Sequence, residues 1–391
     1  MNRFSERAAT TGLFLANGLG IGAWAVAIPR VKERLGLSEA ALGLALFAFA
    51  GGAIIAMGLA GRMARRFGSG PSTAYLGLAF ALLLPLPALV PNPALLGLSL
   101  LALGAANGAM DVSMNGHASV LEARAGRPIM SSFHAAFSLG GLLGAALGGA
   151  IQGHGLGAGA GLALPDLVIA VLVLAGAGVV LRARTANRPD GPPPAAAGHL
   201  VLPSAALLRL AGLAFLCMLV EGAVADWSAV YLRATLAGRA GLAALGYSAF
   251  ALAMAGCRLV GDRAVRHLGA RRVIALGGLL AAAGLALVLG LPTAVSAALG
   301  FALVGIGLAN VVPVIFSASG RSTAIPAVGV AMAATAGYAG FLVGPPLIGF
   351  GAGLVGLRLA LTGLLLATLG VGLFGGRALA PRRPRADAGA S

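Results

Sequence analysis

Charge is scarce in this 391-residue chain: charged side chains are 10% of it, and only 11 are acids, against 27 Lys and Arg. A soluble domain carries about 25%, so a water-facing globular surface is excluded. Cysteine is nearly absent, and Cys217 and Cys257 both lie inside apolar segments, which excludes a disulfide framework. Aromatic residues are 5% while glycine reaches 62, so the core is not built on large rings. It calls instead for helices in close approach through small residues, as in a membrane bundle. No zinc-ligand spacing, P-loop, G-x-S-x-G elbow or dinucleotide glycine pattern occurs. The expectation is therefore no enzyme, no bound cofactor, no metal and no ATP hydrolysis within the chain. The N-terminal MNRFSERAATTG lacks a small-residue cleavage site, so the first apolar segment is expected to stay as a span.

What the chain does have is hydrocarbon, at 59% hydrophobic residues. With about 20 residues per crossing as the yardstick, it divides into twelve apolar spans, an all-α integral membrane protein. The formal charge of +16 suggests nucleic acid, but the arginines sit in short runs between spans. Assigned alternately, all Lys and Arg except Arg30, Lys32, Arg34, Arg233, Arg239 and Arg358 fall on the side of the two termini or toward it. The positive-inside rule makes that side cytoplasmic, in a bacterial inner membrane, and no nucleic-acid partner is expected.

RPDGPPPAAAG, within Arg182 to Ser204, has too many prolines and small residues for a core and marks a linker. The division expected is a six-helix bundle over 1–182, a cytoplasmic linker over 183–206, a second bundle over 207–376 and a tail over 377–391. The bundles repeat. RRFGSG at 65–70 answers RHLGAR at 266–271, Asn107 answers Asn310, and SLGGLLGAALGG at 138–149 answers GYAGFLVGPPLIG at 337–349, at a common spacing of roughly 200 residues. Pro345 and Pro346 are expected to bend the eleventh span.

Polar residues within apolar spans are the functional candidates. A charge at the bilayer centre costs roughly 2.5–3.5 kcal/mol on insertion scales, so Asp111 should face a protein interior or a water-filled cavity. Asn107, Asp111 and Asn115 fall four apart and share one helix face. Across the polar turn Glu122 to Pro128, His134 and Ser138 make a second such pair on the next helix. Asp111 and His134 are the proposed proton-handling pair, against the plainer readings of a buried structural acid and a packing histidine. Asn17, Asn107, Asn115, Ser138, Glu221 and Asn310 are the proposed solute-binding residues. Asp226 is placed at the outer rim near Trp227. Arg258 and Asp262, four apart, suggest an ion pair with a gating role, while His117 and Glu122 are expected as solvated loop anchors.

Twelve spans in two parallel halves around a central linker resemble the major facilitator superfamily. Its loop motif G-x-x-x-D-R-x-G-R-R is matched here by Gly61 to Gly68, with Arg65 at the place of the acid, followed by Arg66. The second copy carries Arg266 there. In the family that acid helps to lock the cytoplasmic faces together; here Asp262, one turn before Arg266, is the nearest substitute. The segments GAMDVSMNGHASVLE, RPIMSSFHAAFSLGGLLGA and EGAVADWSAVYL resemble the MosC-like subgroup, itself similar to the fucose:proton symporters. Those symporters carry an acid followed four residues later by asparagine on the fourth span, as Asp111 and Asn115 do, and an amide where Ser138 stands. The resemblance implies proton coupling through Asp111. Their first-span acid has no counterpart here, Asn17 being the strongly polar residue of that span.

The resulting expectation is a monomeric secondary transporter in the lipid bilayer. It would take up a small sugar- or polyol-like solute with protons by alternating access; the alternative is proton-driven efflux of a metabolite or drug.

Overall fold

The computed structural model describes residues 3–37, 39–154, 158–183, 204–235, 245–291 and 293–379. All of its regular elements are helices: α1 (Arg3–Leu35), α2 (Glu39–Phe67), α3 (Ser69–Leu83), α4 (Leu86–Leu89), α5 (Pro93–Ala125), α6 (Met130–Gly153), α7 (Ala158–Ala183), α8 (Ala205–Thr235), α9 (Leu245–Leu268), α10 (Ala270–Gly290), α11 (Ala294–Leu308), α12 (Val311–Arg321), α13 (Pro326–Val355) and α14 (Leu357–Ala378). Two pairs, α3 with α4 and α11 with α12, each make one crossing, so fourteen elements give twelve spans. Among the described residues, eleven of these are long and apolar enough to span unaided. The exception is α9, whose second half carries Arg258, Asp262, Arg263 and Arg266.

The two halves pack alike. α1 lies against α6 and α7, α2 and α3 against α5, and α3 against α7; the second half repeats this with α8 on α13 and α14, α9 and α10 on α11, and α10 on α14. The repeated sequence stretches are the seams of that packing. A Cβ at Gly140 would overlap the Leu15 carbonyl, and one at Gly340 would overlap that of Phe215. Small residues here let backbones touch where lipid supplies no drive to associate. RRFGSG and RHLGAR also coincide: Gly68 has φ 89° and Gly269 has φ 81°, a conformation open to glycine, and each links two antiparallel helices.

One core fills the first half around Phe14, Phe80, Leu100 and Phe133. The other fills the second half and takes in Ala53, Met57 and Ala60 of α2 and Ala109 and Val112 of α5. The outer surface is apolar, with Leu82, Phe350 and Leu354 fully outward, as a lipid-facing wall requires.

One local expectation changes. α5 runs on to Ala125 and ends at Gly126, φ 64°, so Glu122 belongs to its last turn and not to a loop. α13 continues as helix through Pro345 and Pro346. The tenth span is interrupted at Ala309–Asn310, four residues before Pro313. Proline has no N–H to return to the carbonyl of residue 309. The linker around Pro192 and most of the tail lie outside the described residues.

Candidate functional site

α5 presents the polar stripe as expected. Asp111 is half-buried, and the Asn115 amide donates to its Oδ1 at 3.0 Å and to its main-chain carbonyl at 2.9 Å. His134 Nε2 lies 3.0 Å from Asn115 Oδ1, so one continuous hydrogen-bond chain runs Asp111–Asn115–His134. The His134 ring sits between Phe14 and Phe316, with centroids at 5.6 and 6.0 Å. An apolar clamp of this kind fixes the ring and concentrates its electrostatics. At the other end of the stripe, Asn17 donates to Asn107 Oδ1 at 2.9 Å. Asn17 is 1% exposed; its amide ties α1 to α5 behind the stripe. Tyr338 of α13, which sequence reasoning passed over, meets Asn107 from the opposite half and lies in the field of Asp111.

The second half contributes charge. Arg258 is buried, its Nε donating at 3.1 Å to the Ala309 carbonyl, the group that Pro313 leaves without a helical partner. Its Nη1 crosses to the first half and donates to the Ser138 hydroxyl at 2.8 Å. Asp262 looks elsewhere: its Oδ2 accepts from the Ser132 N–H at 3.2 Å. The expected Arg258–Asp262 ion pair is therefore replaced by two separate bonds from α9 to α6. The α6 N-terminus offers unpaired N–H groups to Asp262, and the opened carbonyl draws Arg258. Glu221 lies within the field of Arg258 without an ion pair, and its Oε1 is buried with no partner. Asn310 stands at the break, its amide donating toward the Cys257 carbonyl at 3.4 Å. Asp226 is exposed, as expected of a rim residue.

Glu122 and His117 are not solvated anchors; both are buried. Glu122 Oε2 accepts from the N–H groups of Ile129 and Met130, each at 2.9 Å. Its Oε1 accepts from Arg321 Nη1 at 2.9 Å and from the Ser317 hydroxyl, both on α12 of the other half. A carboxylate in the last turn of a helix opposes the macrodipole. That misplacement in LEARAGRP was the available sign that Glu122 needed partners. His117 Nε2 lies 3.5 Å from Glu6, whose other oxygen is 3.6 Å from Arg124, joining α1 to α5. Arg65, Arg66 and Arg266 are exposed at the ends of α2 and α9.

These contacts make a clasp. The α6 N-terminus is held by Glu122 of its own half and Asp262 of the other, beside a cavity of about 60 Å³ lined by Met130, Ser131, Pro313 and Arg321 among others. Close approach continues around it, with Gly116 against Ala327 and Gly320 against Ser119. All of these cross-half contacts lie at the arginine-rich ends of the helices.

Comparison with known proteins agrees with this architecture. The family model of the Major Facilitator Superfamily matches residues 10–345. An uncharacterised MFS-type transporter of Yersinia pestis is 38% identical over 347 residues, covering 88% of each chain. Membrane protein MosC of Rhizobium meliloti is 38% identical over 342 residues, covering 86% of this chain and 81% of its own. Among solved structures, the transporter FucP in the outward conformation superposes with a TM-score of 0.76 at 17% identity, covering 96% of this chain and 98% of its own. The human organic anion transporter MFSD10 gives 0.71 at 16%, covering 96% and 99%. With two six-helix halves that repeat one packing pattern and a family match over most of its length, the chain belongs to the Major Facilitator Superfamily.

Proposed function

We propose that this protein is a proton-coupled secondary transporter of a small polar solute, of the sugar or polyol class, working by alternating access. The observation that carries the reading is the Asp111–Asn115–His134 chain at the junction of the two halves. An acid held there by an amide, and only half-buried, can exchange a proton with a cavity facing either side. Asn107, Asn115, Ser138, Glu221 and Asn310, with Asn17 as support, supply the mixed donors and acceptors that hydroxyl groups need. The likeness to FucP, described as a fucose:proton symporter, supports the same class.

The clasp of Glu122 and Asp262 is the gate of the arginine-rich face, which the positive-inside rule assigns to the cytoplasm. Arg65, Arg66 and Arg266 flank it and hold that face in place. Both termini are then cytoplasmic, and Pro192→Cys should resist labelling from outside intact cells; labelling there would overturn the orientation. The protein is taken to work as a monomer, its site being complete within one chain.

The test of function is a ligand-stabilisation screen of the purified protein against sugars, cyclitols and common drugs. A rise in Tm with a sugar or cyclitol, followed by its uptake into proteoliposomes, is the expected result. Stabilisation by amphipathic drugs alone would turn the reading to efflux, which the apolar rings around His134 would suit.

A further inference from the structure

Arg258 makes a bond that neither packing nor the clasp requires. Its Nε already completes the broken tenth span through Ala309. Its Nη1 instead reaches Ser138, one of the proposed solute-binding residues, in the other half. The Ser138 proton is engaged with the His134 carbonyl at 3.1 Å, so the serine faces Arg258 as a pure acceptor. Two of the five N–H groups of a guanidinium are thereby used, and Glu221, nearby with a partnerless oxygen, makes no ion pair with it. One turn further along α9, Asp262 makes the clasp bond to Ser132. α9 thus meets α6 by two rungs, one in the site and one in the gate.

We propose that Arg258 is a solute-contacting residue and that its hydrogen bond to Ser138 is the bolt by which an empty site holds the gate shut. This rests on the transport reading of the site. A solute that offers an acceptor oxygen to the guanidinium takes Nη1 from Ser138, while its own hydroxyl donates to Glu221 Oε1. With the upper rung gone, α9 is held to α6 by Asp262 alone, and the arginine-rich face is free to open.

The bolt can be tested without any solute. In a Cys217→Ala, Cys257→Ala background, Ser131→Cys places a thiol at the buried clasp cavity, and its reaction rate with a soluble maleimide reports opening. Ser138→Ala should raise that rate about fivefold, the factor given by one hydrogen bond of about 1 kcal/mol, with Tm lowered by no more than about 2–4 °C. Arg258→Gln should raise it as well, and the double variant should react no faster than Arg258→Gln alone. An unchanged rate in Ser138→Ala, or additive rates in the double variant, would overturn the bolt and leave Arg258 as a cap on Ala309. For the solute contact, the screen of sugars, cyclitols and drugs is repeated on Arg258→Gln. Loss of every wild-type hit supports the contact, and a hit kept at wild-type strength overturns it. No hit in the wild type would count against the transport reading itself, while the labelling rates still decide the bolt.

Discussion

The seam between α9 and α6 and the seam between α2 and α13 occupy equivalent places in the two repeats, yet they are built from opposite materials. On α9 the crossing residues are Arg258, Gly261 and Asp262, bonded to Ser138 and Ser132. On α2 the corresponding turn holds Met57, Ala60 and Gly61, and Gly61 meets Val328 at an ordinary contact distance, 3.5 Å from where a Cβ would stand. The motif acid is absent from both copies, since Arg65 and Arg266 stand in its place. Asp262, one turn before Arg266, bonds across its seam to Ser132, and among the described residues the α2 seam shows no such bond. One seam is therefore held by directional hydrogen bonds, while the other, among the described residues, is held by apolar contact. Under the alternating-access reading proposed above, the first seam would serve as the latch and the second as the bearing.

The comparison can be broken most severely at Glu122, which backs the latch. Glu122→Ala would strand the N–H groups of Ile129 and Met130 and release Ser317 and Arg321. A cost of roughly 3 kcal/mol is expected from breaking a buried, multiply bonded carboxylate, seen as a fall in Tm and loss of the closed state. A Glu122→Ala protein with wild-type Tm and labelling would show that the clasp is ornamental.

Gly261→Ala comes next. The added methyl would run into Asn310 Oδ1 and the Ser131 side chain, with overpacking of about 1–3 kcal/mol. Asp262→Asn follows, expected to shift the gate toward open by roughly tenfold, equivalent to about 1.4 kcal/mol, with solute binding retained; cysteine accessibility along the cavity reads it. The smallest effect belongs to the bearing. Gly61→Ala should be neutral or gain up to about 1 kcal/mol of helix propensity, measured as an unchanged or raised Tm. A large loss at Gly61 would mean that the two seams are not different in kind.

Much of this was legible in the sequence because membrane folds follow from few rules. Hydrocarbon runs separated by arginines gave the spans, and the repeated glycine stretches marked the very faces where α1 meets α6 and α8 meets α13. The stripe on α5 followed from four-residue spacing alone. The partners did not. No local pattern says that Arg258 will turn to Ala309, because that depends on Pro313 breaking another helix; nor that Glu122, beside a polar turn, will be drawn inward by a serine and an arginine 195 and 199 residues away. Tyr338 was equally silent, being one aromatic among apolar neighbours until the halves bring it to Asn107.

The proposed role of Asp111 as carrier of the coupling proton is tested by solute accumulation in proteoliposomes with and without an imposed pH gradient. The solute is the hit from the stabilisation screen, and the comparison is wild type against Asp111→Asn. The wild type should accumulate solute only with the gradient. Asp111→Asn should bind and exchange solute but never accumulate it, since its amide cannot release a proton. Gradient-driven accumulation by Asp111→Asn at the wild-type level would rule out that role and leave Asp111 a structural acid.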